Sequence, residues 1–255
     1  MTDAPDPTPE APREPGRLLT GERAGYAALA ISVVALGLAA APWLTGGSPV
    51  RDYLLKHPEV LQEASAALEN KGQQAQAEAI TQRAAANPAL LAVDATDPAF
   101  GPADAKVTVI EFFDFRCPGC KATAPEVLRL MQAHPDVRFV FMDWPILDRG
   151  QDDVSHYAAR AAQAAHAEGK YLPVFRALMA EPGLTREAVD RILAANGVTG
   201  AEAVMASPAT ARHLASIDAA GAALQLYGTP TFFVNGKAQA SINPVDLERA
   251  IEQAG

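Results

Sequence analysis

The sequence predicts an α/β layered domain preceded by a transmembrane helix and a helical stalk. Three observations carry this expectation. An uncharged run stretches from Gly25 to Thr45; short β-branched and aromatic runs alternate with helical segments beyond residue 95; and a long Ala-rich block interrupts them. The composition agrees: 49% of the 255 residues are hydrophobic but only 6% are aromatic, so much of the apolar content is Ala, which enters helices without side-chain entropy loss. A formal net charge of -9 and the absence of a basic cluster argue against a nucleic-acid partner, whose phosphates require Lys and Arg.

Residues 1–24 open with a stretch rich in Pro, Ala and acidic side chains, with little to bury, and read as a disordered cytoplasmic tail. Residues 25–45 (GYAALAISVVALGLAAAPWLT) carry no charge and are long enough, at about 1.5 Å per residue, for a hydrocarbon core of roughly 30 Å. Arg13, Arg17 and Arg23 precede the run, which favours a cytoplasmic N-terminus. The alternative is a cleaved signal peptide at Ala39-x-Ala41, but Pro42 would follow the cut and the run exceeds an ordinary signal core. The expected topology is therefore a single-pass inner-membrane protein with its catalytic domain in the periplasm.

Residues 46–94 form the expected stalk. Within 50–86, Leu54, Leu61, Leu68 and Ala75 recur every seven residues, a stripe suited to packing against another helix, that of a second copy in a homo-oligomer being one expectation. An amphipathic helix lying on its own domain is the alternative. Asn87-Pro88 and the stretch from Asp94 to Pro102 read as linker.

Residues 95–255 alternate. VTVIEFFDF (107–115) suits a buried strand, a helix follows from Cys117 to about Ala133, and VRFVFMDW (137–144) forms a second strand. Residues 152–226 read as an inserted block of helices. Thr185 caps one and Gly197 ends it, while Ser207-Pro208 starts another with proline where its missing N–H is harmless. TFFVNG (231–236) is a short strand with Asn235-Gly236 as a hairpin turn, and the last helix opens at Asn243-Pro244. The order β-α-β, helical block, β-β-α implies a layered sheet.

The chemistry is concentrated at Cys117-Pro118-Gly119-Cys120, and no other cysteine exists. This spacing lets two sulfurs close a small ring across the first turn of a helix. At the helix start, unpaired N–H groups and the positive end of the macrodipole favour a thiolate at Cys117. Cys120, one turn in, is more shielded and suited to releasing mixed disulfides. An inert structural disulfide is one alternative in an exported protein. Half a zinc site is another, but no second Cys pair exists and the five histidines show no tight ligand spacing, so no metal and no cofactor are expected. Far downstream, Thr229-Pro230 stands immediately before TFFVNG. A proline there cannot donate to a ladder, and a cis bond would present the Thr229 backbone to an incoming peptide strand; a trans proline at a loop end is the alternative.

The run EFFDFRCPGCKATAP resembles the active-site stretch of the DsbA family, and YGTPTFFVNG resembles that family's cis-proline loop. VRDYLLKHPEVLQEA is similar to the N-terminal helical segment of ScsC-like proteins. The resemblance implies a thioredoxin-like fold with an inserted helical domain over residues 95–255. It implies Cys117 as the exposed nucleophile, Cys120 as the resolving thiol, Pro230 as the cis proline, Thr229 as the residue that pairs with substrate, and Glu111 as a buried acid that relays a proton. DsbA itself carries His at the position of Gly119, so that protein's extreme thiol acidity is not carried over. Thr before the cis proline is more typical of isomerases in the wider family.

The expected activity is disulfide formation or isomerisation in exported proteins with cysteines, in exchange with a membrane oxidase or reductase. Two alternatives stay open: a reductant running the same chemistry backwards, and a carrier holding copper(I) on two thiolates. The cis-proline loop favours the enzyme.

Overall fold

The computed structural model describes residues 21–44 and 49–255; the expected tail lies, up to residue 20, outside the described residues. The chain divides into two compact units, Met1–Ala66 and Ala67–Gly255. Helix α1 (Gly21–Leu44) covers all but the last residue of the expected anchor. Among the described residues, however, no helix is long and apolar enough to cross a membrane. Helices α2 (Pro49–Lys56) and α3 (Glu59–Ala86) replace the single helical stretch expected over 50–86. The break falls at His57-Pro58, because proline disfavours helical backbone at the preceding residue and lacks an N–H of its own.

The second unit is built on a five-stranded sheet in the order β1-β3-β2-β4-β5. The strands are β1 (Ala99–Phe100), β2 (Thr108–Phe113), β3 (Arg138–Asp143), β4 (Thr231–Val234) and β5 (Lys237–Ala238). Central β2 runs parallel to β3 and antiparallel to β4. Strand β1 lies inside the stretch expected as a linker. Two residues are too few for alternation to register in the sequence, and the strand exists because Ala99 and Phe100 pair with Val140 and Phe139. The β4–β5 hairpin turns at Asn235 and Gly236, both with positive φ (48° and 77°), the backbone that Asn-Gly accommodates.

Besides the end of α3 and a 3-10 turn at Pro88–Leu91, seven α-helices belong to the unit: α4 (Pro118–Ala133), α5 (Val154–Ala167), α6 (Tyr171–Ala180), α7 (Arg186–Ala195), α8 (Ala201–Met205), α9 (Pro208–Leu224) and α10 (Pro244–Ala254). The expected caps form. Thr185, Ser207 and Asn243 each accept a hydrogen bond from a backbone N–H of the first turn, and Gly197 takes φ +69° just past α7.

Period-two alternation divides the sheet's side chains between two cores. Val109, Phe113, Phe139, Phe141 and Phe232 pack with α4, α5, α6 and α10. Ile110, Phe112, Val140, Met142 and Phe233 pack with Leu214, Ile217 and Leu224 of α9 and with Ile80 and Ala84 of α3. The end of the expected stalk is therefore part of this core. Its buried residues are Ala77, Ile80 and Ala84, whereas Leu61 and Leu68 are exposed.

Trp144 follows β3 and stands over this second core, edge-on to Phe112 and donating its indole N–H to Asp218 at 3.1 Å. It lies against Gly221 of α9 so closely that a Cβ there would stand 2.7 Å from Trp144 Cε2. Gly221→Ala should therefore destabilise the protein by about 1–3 kcal/mol through overpacking, although Ala is the better helix former by about 1 kcal/mol. Urea unfolding monitored by circular dichroism measures the sign, and a stabilised variant would contradict this packing.

Candidate active site

Strand β2 delivers the chain through Asp114 and Arg116 to Cys117, the N-cap of α4, with Pro118 in the first helical turn. The approach is anchored by buried Asp114. Its Oδ1 accepts from Arg116 N (2.7 Å) and Ser155 Oγ (2.9 Å), and its Oδ2 from Ile146 N (2.9 Å) and Leu147 N (3.0 Å). The Arg116 guanidinium turns to Asp148 and Asp152 (3.3 and 2.8 Å), so it is neutralised there rather than directed at the thiol.

Thr229-Pro230 is a cis peptide, and Cys117 Sγ lies 3.1 Å from the Thr229 carbonyl, to which it donates when protonated. Gly119 faces the same loop: a Cβ at this position would lie 3.2 Å from Pro230 Cδ and 3.7 Å from Cys117 Sγ. Cys117 is 8% exposed and Cys120 0%. The order of access follows the sequence expectation, but the description of Cys117 as exposed is corrected, because the neighbouring 229–230 loop and the first turn of α4 enclose the sulfur.

One helical turn separates opposite electrostatic environments. The Cys117 thiol is lowered to about 5, chiefly by a hydrogen bond from the Cys120 thiol, against the effect of burial, with help from the Thr229 side chain and the N–H groups of Cys120 and Gly119. Burial pushes the Cys120 thiol far up, reinforced by its role as donor to Cys117 and by the Glu111 carboxylate. The stabilisation that a neighbouring imidazole would supply comes here from the helix start and the second thiol.

Glu111 lies on the central strand, between Phe141 of β3 and Phe232 of β4, on the face covered by α4. Both carboxyl oxygens are buried without a hydrogen-bond partner. Burial, with the nearby Asp143, raises its pKa to about 8. Asp143 itself went unrecognised in the sequence. It ends β3 on the same buried face as Phe139 and Phe141, accepts from Tyr171 Oη (2.9 Å) and Gln163 Nε2 (3.4 Å), and is likewise raised to about 8 by burial. A carboxylate in register with an apolar stripe was the available signal, in FVFMD as in VIEFF. The structure thus brings Cys117, Cys120, Thr229, Pro230 and Glu111 to one place and adds Asp143. A dithiol so arranged can exchange with a disulfide, with protonated carboxyls behind the inner sulfur.

Residues 93–253 match the thioredoxin family model, and residues 47–76 match the N-terminal domain of copper resistance protein ScsC. A thioredoxin-like oxidoreductase from Silicibacter pomeroyi is 36% identical; the match covers 63% of this chain and 93% of that one, with a TM-score of 0.58. BcfH from Salmonella enterica Typhimurium is 29% identical over 87% of this chain and 99% of its own, with a TM-score of 0.59. Proteus mirabilis ScsC, at 23% identity and a TM-score of 0.61, shares the fold over 84% of this chain and 97% of its own. Among curated proteins, Na(+)/H(+) antiporter NhaA 3 of Salinispora tropica is 33% identical over 147 residues, 54% of this chain, and NhaA 1 of Salinispora arenicola is 34% identical over 158 residues, 60% of this chain. The chain spans only 21% and 24% of the length of these two relatives.

Two measurements probe this site. Iodoacetamide should label Cys117 ahead of Cys120, at a rate that is flat near neutral pH and falls with an inflection near pH 5. Peptide mass mapping across pH reads this; preferential labelling of Cys120, or an inflection near the ordinary thiol value of about 8.5, would contradict the assignment. The second concerns stability. Between its ordinary value of 4.5 and about 8, folded Glu111 holds a proton that the unfolded chain has released, so stability falls as pH rises through that window. Glu111→Gln should flatten this loss between pH 5 and 8 by on the order of 3 kcal/mol. Urea unfolding of the disulfide-oxidised protein at both pH values measures it, and equal slopes in the two proteins would refute the raised value.

Proposed function

The chain belongs to the thioredoxin family as a DsbA- and ScsC-like thiol–disulfide oxidoreductase, and on that premise we propose that it forms or isomerises disulfides in exported proteins. The observation that carries this reading is geometric: Cys117 Sγ stands at the start of α4, 3.1 Å from the Thr229 carbonyl of the cis Thr229-Pro230 loop, with Cys120 shielded one turn in. In the oxidised protein, a substrate thiolate attacks Cys117 Sγ, the Cys117–Cys120 bond breaks, and Cys120 leaves as a thiolate. Its high proton affinity draws a proton from protonated Glu111, whose own proton affinity Asp143 helps to raise. A second substrate thiolate then attacks the substrate sulfur of the mixed disulfide and releases Cys117. Two electrons pass to this protein and onward to a membrane redox partner. In isomerisation the Cys117 thiolate attacks a wrong substrate disulfide and is later expelled by another substrate thiol, with no net electron transfer. Thr229 and Pro230 hold the incoming peptide beside the sulfur.

The uncharged run 25–45, with Leu29, Ile31, Val33, Val34, Leu36 and Leu38 exposed, supports an inner-membrane anchor with the catalytic unit in the periplasm. Exposed Leu61 and Leu68 support self-association through 50–86, which would surround one substrate with several thiolates and favours reshuffling. The copper(I) reading has no use for a cis Thr229-Pro230 loop beside the thiols, which a peptide-binding oxidoreductase needs.

Full-length Cys120→Ala, expressed in an exporting cell, should accumulate mixed disulfides with exported proteins, because the internal resolving thiol is gone. Light scattering on the detergent-purified chain should give a mass above one protomer. Capture of no partner would sink the oxidoreductase reading in favour of metal carriage; a monomeric mass would remove the support for reshuffling.

A further inference from the structure

A second cluster of metal-ligating side chains lies away from the thiols, where the chain enters the sheet. Asp94, Asp97 and His213 each place one donor atom within 4.8 Å of the others. Asp97 and His213 are buried, with 6% and 8% exposure, while Asp94 reaches solvent. The hydrogen bonds around them assign the imidazole tautomer. The Thr96 hydroxyl donates to Asp94 Oδ1, so toward His213 Nδ1, 2.8 Å away, it acts as acceptor. The ring proton therefore sits on Nδ1, and Nε2 carries a bare lone pair. That Nε2 is buried, has no hydrogen-bond partner, and lies 3.7 Å from Asp97 Oδ1. The other Asp97 oxygen is already engaged by Asp94 N–H at 2.7 Å, and Asp94 Oδ1 also accepts from Thr96 N at 2.6 Å.

Lone pairs converging from one imidazole and two carboxylates, with no donor between them, are what a cation satisfies and a neutral interior does not. We propose that Asp94, Asp97 and His213 bind a divalent transition cation of the zinc class. One nitrogen and two oxygen ligands suit such an ion, and the 3.7 Å between Nε2 and Oδ1 approaches the edge of a tetrahedron with arms of about 2.1 Å. Asp94 is the exposed member of the three, and Asp97 and His213 are the buried ones. Thr96 is a positioning residue: its hydroxyl holds the ring orientation and keeps Nε2 free, the outer-shell role that a hydrogen bond to the second ring nitrogen plays at histidine-bound metals. The ion would fasten residues 94–97, at the entrance to the sheet, to α9. The end of the same helix already receives Arg83 of α3, whose guanidinium donates to the Leu224 carbonyl at 3.1 Å. The inference does not depend on the thiol chemistry.

The test uses the full chain with Cys117 and Cys120 locked as a disulfide, so that no thiolate competes for metal. Equilibrium dialysis against zinc chloride should find one ion per chain. Asp94→Asn, at an exposed position that leaves the fold intact, should weaken binding at least about tenfold, and Thr96→Val by about 10–100-fold. His213→Gln should abolish binding. Zinc at a fixed concentration should also raise the melting temperature of the oxidised parent more than that of Asp94→Asn. No zinc bound by the oxidised parent, or parent-like affinity in Asp94→Asn, would overturn the site.

Discussion

Cys117 and Cys120 are chemically identical and one helical turn apart, yet the site requires one to be a thiolate and the other a thiol. The start of α4 creates the difference. Free N–H groups of the first turn and the Cys120 S–H all face Cys117, whereas Cys120 is turned into the sheet, toward a carboxyl that has lost its water. Strand β2 must end where α4 begins, the cis Thr229-Pro230 loop must lie against the first turn, and Glu111 must stand beneath it. Each of these follows from β2 being central, with β3 on one side and β4 on the other.

That arrangement carries a cost in stability that the fold absorbs elsewhere. Glu111 has no hydrogen-bond partner, and a buried polar group left unpaired is unfavourable by several kcal/mol or changes protonation state. Here it takes a proton. Asp143 does the same with two hydrogen bonds from α5 and α6, so the inserted helices reach back to the chemistry through Gln163 and Tyr171. The aromatic packing of Phe113, Phe141, Tyr171 and Phe175 supplies a dense apolar surround for these carboxyls.

Local signals made most of this legible in the sequence. The β-branched and aromatic runs at 107–115 and 137–144, the caps at Thr185, Ser207 and Asn243, and the Asn235-Gly236 turn depend on neighbouring residues, and the elements formed there. The cysteine pair was legible through its motif, and Glu111 through the family resemblance of the stretch that carries it. What escaped depends on distance in the chain. Strand β1 is defined by its partner in β3. The degree of Cys117 burial is set by a loop more than a hundred residues away, its Thr229 bond spanning 112 positions. The histidines showed no ligand spacing because the ligands of the proposed cation site come together only in the fold: Thr96 and His213 are 117 residues apart.

The stalk shows how one sequence pattern can serve two surfaces. At about 100° per residue, Ala77, Ile80 and Ala84 lie within roughly 60° of one another on the helix wheel. Leu61, Leu68 and Ala75 cluster on a face about 150° away. The first set is buried in the core beside the sheet, and the second faces solvent. Packing of α3 on its own domain and packing of α3 against another helix are therefore not competing readings of one stripe. The heptad in the sequence marks only the outer face; the inner face has the shorter i, i+3, i+7 spacing and occupies the last turns alone. Because the two faces are nearly opposite, an assembly through Leu61 and Leu68 would leave Ile80 and Ala84 in place, and with them the sheet that positions Cys117.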